Sequence, residues 1–217
     1  AALGALAEEL EEAGCRLHLG EGYLDSLRAD VVFRTPGLHP RFLEELRKRG
    51  CQITSEMEVF FEVCPCPILA VTGSDGKTTT TTIIARLLEA AGHTVHIGGN
   101  IGHPLLCETD HIQPTDLAVV ELSSFQLMTM RKSPRMAVLT NLAPNHLDIH
   151  TDMEEYVSAK SAIFAHLGPS DTAVFNWDNE ITRELSRKAP GRVIYFTRNA
   201  THGIPRGCFL RDGAVWY

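Results

Sequence analysis

Val71-Thr72-Gly73-Ser74-Asp75-Gly76-Lys77-Thr78-Thr79-Thr80-Thr81-Thr82 stands between two segments of different hydrophobic period, and that change of period decides the fold. Before it, Ile68-Leu69-Ala70-Val71 is a continuous apolar run of strand length. After Lys77, apolar residues recur with helical spacing at Ile83, Ile84, Leu87 and Leu88. Two glycines therefore lie where a strand turns into a helix. Backbone N–H groups in such a turn, together with the positive end of the helix dipole, favour a polyanion. Lys77 is placed to reach terminal phosphates and the Thr78 hydroxyl to join the shell of a Mg²⁺ ion. Gly73, Ser74, Asp75, Gly76, Lys77, Thr78 and Thr79 are thus candidate phosphate ligands, with ATP or GTP the expected guest. The usual Gly-x-x-x-x-Gly-Lys-Ser/Thr form has a glycine where Val71 stands, so the loop here is the shorter Gly-x-x-Gly-Lys-Thr.

Outward from this loop the chain alternates strands and helices. Expected strands are Thr94 to Ile97, Leu117 to Leu122, Met136 to Asn141, Thr172 to Asn176 and Arg192 to Phe196. Expected helices run from Lys77 to Ala91, Met153 to His166 and Asn179 to Lys188. This pattern implies an α/β domain with a mostly parallel sheet flanked by helices. Cys208 to Tyr217 reads as a hairpin turning at Asp212-Gly213. On the other side, Cys64-Pro65-Cys66-Pro67 stops a helix through Met57 to Val63 and marks a domain boundary. The first 66 residues alternate too: a helix over 3–13, short strands at Arg16 to Leu19, Asp30 to Phe33 and Gln52 to Thr54, and a helix from Pro40 to Arg49. They form a small Rossmann-like unit that begins on a helix, so its opening strand is expected to be missing.

The 217 residues are 44% hydrophobic, enough for a packed core, and the formal charge of −7 argues against nucleic acid as a partner. No apolar run approaches the roughly 18 residues that span a bilayer, and the N-terminus has no signal-peptide pattern, so no membrane association and a cytoplasmic location are expected. Six cysteines are expected to be reduced, mostly structural thiols. Cys64 and Cys66 have one residue between them rather than a zinc-knuckle spacing, which leaves a metal site there as the lesser alternative.

Four further stretches carry chemistry. Glu121 ends the apolar run Leu117-Ala-Val-Val-Glu121 and is followed by Ser123, Ser124 and Gln126; it is either the carboxylate of a Mg²⁺ shell or a strand-end carboxylate in water. Gly98-Gly99-Asn100-Ile101-Gly102 lets backbone approach a ligand and offers the Asn100 amide, although a plain turn has the same composition. Asn141 to His150 holds His146, Asp148 and His150 in one loop, open to metal binding or to ordinary surface histidines. Tyr156, Lys160 and Phe164 share a helix face. A lysine there either reaches solvent or is buried with a lowered pKa, when its neutral amine is a nucleophile even toward CO₂.

Together, Thr72-Gly-Ser-Asp-Gly-Lys-Thr-Thr79, Gly99-Asn-Ile-Gly102, Glu121-Leu-Ser-Ser-Phe-Gln126, Asn141 to Asp148 and Tyr156-Val-Ser-Ala-Lys160 resemble the ATP-dependent Mur ligases, whose phosphate loop has the same short form. Gly-Gly-Asn-Ile-Gly and Glu-Leu-Ser-Ser-Phe-Gln-Leu are most similar to the branch that adds D-glutamate. The resemblance implies residues 1–66 as part of a UDP-sugar-binding N-terminal domain and 67–217 as part of the central ATP-binding domain, with an amino-acid-binding C-terminal domain absent. It also implies ATP and Mg²⁺, the small-molecule substrates UDP-N-acetylmuramoyl-L-alanine and D-glutamate, a monomer, and an amide bond made through an acyl phosphate in peptidoglycan precursor synthesis. The 217 residues alone are expected to be inactive. By the same resemblance Thr78 and Glu121 hold one Mg²⁺, and His146 and carbamylated Lys160 the second. Lys77, Lys160 and His146 serve catalysis, while Thr35, Pro36, Gly37, Asn100 and Ser123 contact the UDP-sugar. A bare nucleotide or UDP-sugar module without catalysis, or another Mur ligase or folylpolyglutamate synthase-like ligase, is the alternative. A GTPase is disfavoured, because the Asn145 to Asp148 segment has His146 where a guanine-reading motif needs Lys.

Overall fold

The structure, a computed structural model, describes residues 4–143, 152–199 and 204–217. A first helix, α1 (Gly4–Glu12), precedes a two-stranded parallel sheet of β1 (Val31–Phe33) and β2 (Gln52–Thr54). Between these strands a 3-10 turn, Pro40–Leu43, runs into α2 (Glu44–Lys48). Leu43, Leu46 and Cys51 form the small core of this unit, with Leu27, Val32 and Ile53 packed on it.

Helix α3 (Glu56–Val63) leads into the larger sheet through β3 (Ile68–Thr72). The chain continues through α4 (Lys77–Ala90), β4 (Val95–Gly99), a 3-10 segment Leu105–His111, β5 (Leu117–Glu121), α5 (Ser124–Leu127) and β6 (Met136–Leu139). It then passes through α6 (Met153–Ala165), β7 (Thr172–Asn176), α7 (Glu180–Ser186), β8 (Arg192–Thr197), β9 (Gly207–Arg211) and β10 (Ala214–Trp216). The eight strands lie in the order β10-β9-β8-β7-β6-β3-β5-β4, parallel throughout except for the β9–β10 hairpin. The fold is therefore the expected α/β class. Nearly every residue of β3, β5 and β6 is buried, which marks a parallel sheet covered on both faces and explains their unbroken apolar runs.

This strand order places the site. From β3 the chain moves to one side of the sheet and from β6 to the other, so the loops after these two neighbours meet at a topological switch point. Open α/β sheets bind ligands in that crevice, beyond the carboxyl ends of the strands. The two loops also hold each other: Ser74 N donates to the Asn141 carbonyl (3.0 Å), Asp75 N to Asn141 Oδ1 (2.9 Å), and Thr140 Oγ1 to the Asp75 carbonyl (2.6 Å).

Several local expectations are corrected. Arg16 to Leu19 is not a strand: among the described residues β1 pairs with β2 alone and no neighbour supplies a ladder for that stretch. The Pro40 to Arg49 helix opens as a 3-10 turn, capped where His39 Nδ1 accepts from Arg41 N. In α4 the inward stripe is Thr81, Ile84, Ala85 and Leu88, while Ile83 and Leu87 are exposed. Fully buried Thr81 returns its hydroxyl to the Lys77 carbonyl, so a small polar residue sits against the sheet without an unmet hydrogen bond. Short α5 escaped the hydrophobic period. Its signal was the capping box Ser123-x-x-Gln126, in which Ser123 Oγ accepts from Gln126 N and Gln126 Oε1 from Ser123 N.

Candidate active site

The phosphate loop is shaped by backbone that only glycine adopts comfortably. Gly73 has φ +154°, and a Cβ there would lie 1.9 Å from Thr140 Oγ1. Gly76, at φ +75°, is the N-cap of α4 and contributes no side chain, so the first N–H groups of that helix face the crevice without a side-chain cap. Asp75 is exposed and is fixed through its backbone, by Asn141 and Thr140. Lys77 Nζ folds back to the Ser74 carbonyl at 2.9 Å, and Thr79 is exposed beside it. Ser74 is turned inward: its hydroxyl contacts Tyr156 OH (2.9 Å), donates to the Ala143 carbonyl and accepts from Ala143 N. With its N–H also engaged, Ser74 acts as a brace of the loop.

Glu121, at the end of β5, is only 2% exposed. Its two oxygens are divided between partners: Oε2 accepts from Thr78 Oγ1 at 2.6 Å and Oε1 from Asn100 Nδ2 at 3.0 Å. Asn100 is brought there by Gly99, whose φ of +95° and 2.2 Å approach of a built Cβ to the Glu121 carbonyl leave no room for a side chain. Between the strand ends lies Lys160 of α6, also 2% exposed, its Nζ 3.3 Å from Thr72 Oγ1 and 4.9 Å from the Tyr156 ring centre. Thr72 hands its own proton to the Leu122 carbonyl at 2.7 Å. Lys77 and Glu121 both act on the Lys160 charge, and Thr78 and Asn100 both bond to Glu121, so these five side chains cluster at the carboxyl ends of β3, β4 and β5. His146, Asp148 and His150 lie outside the described residues.

Burial pulls the Lys160 ammonium down to about 7, Lys77 pushes it the same way, and Glu121 opposes both. Below pH 7 both folded and unfolded chains hold the proton, so the full penalty of a buried cation is present. Between about 7 and the ordinary 10.5 only the unfolded chain stays protonated, and stability rises with pH. Lys160→Met is expected to stabilise the protein most at about pH 6, with a smaller gain at about pH 9. Urea unfolding in CO₂-free buffer at the two values checks this; an equal gain at both would show that the amine does not titrate there.

Among the described residues no group of three or more His, Cys, Asp or Glu is placed to hold a metal. A magnesium ion needs none of that density, since it keeps several waters and takes one or two carboxylates plus phosphate oxygens. The adjacent Thr78 hydroxyl and Glu121 carboxylate fit that requirement. Cys64 and Cys66 are free thiols, with their sulfurs 3.6 Å apart.

Thr35 and Pro36 line a cleft of about 360 Å³ together with Gly99, Gly102, Phe33 and Gln126, while Asn100 is not part of its lining. Ser123 follows Glu121 at the end of β5, with its hydroxyl occupied by the α5 cap. Gly37, the third residue of that loop, is exposed. A larger cleft of about 530 Å³, between Arg47, Ile53 and Lys132, contains none of these groups. Sequence reading missed the bracing set of Thr72, Thr140 and Asn141. Its one available signal was polar residues ending two apolar strands.

The model of the Mur ligase middle domain matches residues 71–209. The chain is 51% identical over 213 residues to a UDP-N-acetylmuramoylalanine--D-glutamate ligase of Acetivibrio thermocellus, covering 97% of this chain and 45% of the relative. It is 50% identical over 199 residues to the protein of that name from Clostridium kluyveri, covering 90% and 43%. The chain thus spans a little under half the length of these curated relatives. Its fold is similar to that of UDP-N-acetylmuramate:L-alanyl-gamma-D-glutamyl-meso-diaminopimelate ligase from Neisseria meningitides, with TM-score 0.58 and 21% identity over 98% of this chain and 74% of that one. It is also similar to a UDP-N-acetylmuramoyl-L-alanyl-D-glutamate--2,6-diaminopimelate ligase, with TM-score 0.58 and 23% identity over 73% and 37%. With a family model covering residues 71–209, most of its larger sheet, and the glycine loop seated at that sheet's switch point, this chain belongs to the Mur ligase family.

Proposed function

We propose that the whole protein is an ATP-dependent ligase that adds D-glutamate to UDP-N-acetylmuramoyl-L-alanine through an acyl phosphate, as a cytoplasmic monomer in peptidoglycan precursor synthesis. The observation that carries this reading is the roughly 50% identity, over nearly all of this chain, to relatives bearing that activity in their names. In this reading residues 1–66 hold the UDP-sugar through Thr35, Pro36 and Gly37, and 67–217 bind the nucleotide, with Asn100 and Ser123 also contacting the UDP-sugar. A further domain, beyond these residues, brings the amino acid.

Bound ATP and Mg²⁺ supply the transferable phosphoryl group and the charge that lets two anions approach. The chain's own groups do the rest. Backbone N–H groups at Gly76 and the start of α4 receive the polyphosphate, and Lys77 leaves the Ser74 carbonyl to meet its outer oxygens. Thr78 and Glu121 would hold one cation, and His146 and Lys160 would hold a second. Lys160 would serve as a carbamate: its neutral amine bonds to the carbon of CO₂ and releases one proton, so a buried neutral amine becomes an anionic oxygen ligand. The pKa near 7 makes that amine available at neutral pH.

The full-length protein is expected to form ADP only when both UDP-N-acetylmuramoyl-L-alanine and D-glutamate are present, and to slow when bicarbonate is withheld, a loss that Lys160→Ala abolishes by being inactive throughout. Turnover with another amino acid and none with D-glutamate would overturn the assignment. Full activity of Lys160→Ala would remove the lysine from the mechanism. A test of these 217 residues alone, with no product expected, completes the set.

A further inference from the structure

Arg34 directly follows β1 and is 3% exposed, a depth at which a guanidinium ordinarily meets a carboxylate. Here no carboxylate among the described residues is within ion-pair distance of it, and its donors are instead shared between two parts of the molecule. Nη1 donates to the carbonyls of Thr35 (3.3 Å), Pro36 (3.2 Å) and Leu38 (2.8 Å), all on the loop that lines the 360 Å³ cleft. Nη2 donates to the Phe125 carbonyl in α5 (2.8 Å) and to Thr129 Oγ1 just beyond it (3.2 Å). The Thr129 hydroxyl passes its own proton to Glu58 Oε2 at 2.9 Å, and Ser55 Oγ donates to the same oxygen at 2.8 Å. Glu58 of α3 thus balances the buried charge through one intervening hydroxyl. Among the described residues Nε finds no partner, so the burial is not the optimum for the arginine itself.

That cost is explained if the side chain serves something beyond its own packing. Its carbonyl partners on one side carry Thr35, Pro36 and Gly37; on the other side α5 begins at the turn that carries Glu121, Ser123 and Gln126. We infer that Arg34 is a positioning residue that sets the spacing between the Thr35–Gly37 loop and α5, two of the segments that line the cleft, through Thr35, Pro36 and Gln126. A planar fork can serve two opposed sets of acceptors at once, which a lysine ammonium cannot. The ligand class, a UDP-sugar, rests on the function proposed above; the pin itself does not.

The experiment uses the full-length protein with Arg34→Lys and, because a buried variant can fail to fold, Thr129→Val, which leaves the charge and removes the bridge to Glu58. Arg34→Lys is expected to raise KM for UDP-N-acetylmuramoyl-L-alanine roughly tenfold, about the worth of one charge-assisted hydrogen bond, with kcat and KM for ATP within about twofold. Thr129→Val moves the same constant in the same direction by less, and the double variant is no worse than Arg34→Lys alone, as expected for one shared interaction. An unchanged KM for the UDP-sugar, or equal rises for both substrates, overturns the inference. If the wild-type protein does not turn over the UDP-sugar at all, the proposed function fails and hydrogen exchange decides the pin separately. The Leu38 amide, bonded to the Thr35 carbonyl, then exchanges faster in Thr129→Val while amides of the phosphate loop do not, and no change at Leu38 refutes it.

Discussion

Glu121→Gln in the full-length enzyme is expected to lower kcat by roughly 10²- to 10³-fold, on the scale of losing one preorganised charge at a site of phosphoryl transfer. The substitution is nearly isosteric. An amide still offers one oxygen and one NH₂ to the pair of groups that the carboxylate now serves, and the Thr78 hydroxyl can rotate to accept rather than donate. The fold should therefore survive with a melting temperature close to that of the wild type, while the Mg²⁺ concentration for half-maximal rate rises. The change has a second readout. Glu121 is the influence that holds the Lys160 pKa up against burial and Lys77, so its loss lowers that pKa further. A steady-state assay across Mg²⁺ concentrations, with a thermal melt as control, checks the result; a kcat within twofold of wild type would remove Glu121 from the ion site.

The second large effect is steric. Gly73→Ala would put a methyl group 1.9 Å from Thr140 Oγ1 and 3.1 Å from the Asn141 carbonyl oxygen, at a φ of +154°. Something must move, and the neighbours are the loop that follows β6. Opening that contact disturbs the hydrogen bonds from Ser74 N and Thr140 Oγ1 that tie the two loops, so ATP affinity is expected to fall by about 100-fold or more, roughly 3 kcal/mol. Gly76→Ala is the internal control. Its φ of +75° is unfavourable, but a Cβ there meets nothing within 4 Å, so only the backbone cost of about 1–2 kcal/mol applies. Nucleotide titration by calorimetry should rank Gly73→Ala well below Gly76→Ala, and adding Thr140→Ala should recover part of the loss in the first variant alone. Equal affinities for the two single variants would mean that the close approach at Gly73 carries no energy.

The phosphate loop and the strands around it were legible because their signals are local. A four-residue apolar run, two glycines and a lysine followed by a hydroxyl lie within one short stretch. Glu121, at the end of an apolar strand, and Asn100, in a glycine-dense loop after one, were legible as candidates for the same reason. What joins them was not. The Glu121 to Thr78 and Ser74 to Tyr156 contacts cross 43 and 82 residues of chain, and no period or spacing encodes such pairings. The inward face of α4 was ambiguous because two apolar stripes lie side by side, and only packing selects the one flanked by Thr81 and Ala85. Arg34 gave a single letter after a strand. Its meaning depends on acceptors 91 and 95 residues away. The capping box at Ser123, by contrast, was written in the sequence and would have yielded α5.

Tyr156 and Lys160 stand one turn apart on α6, the first touching Ser74 and the second touching Thr72, on either side of Gly73. That helix therefore works as a lever with two fingers on the same hinge. A substitution elsewhere along α6 that tilts it should loosen nucleotide and cation together, so the two affinities will change in step across a series of such variants rather than being tuned one at a time.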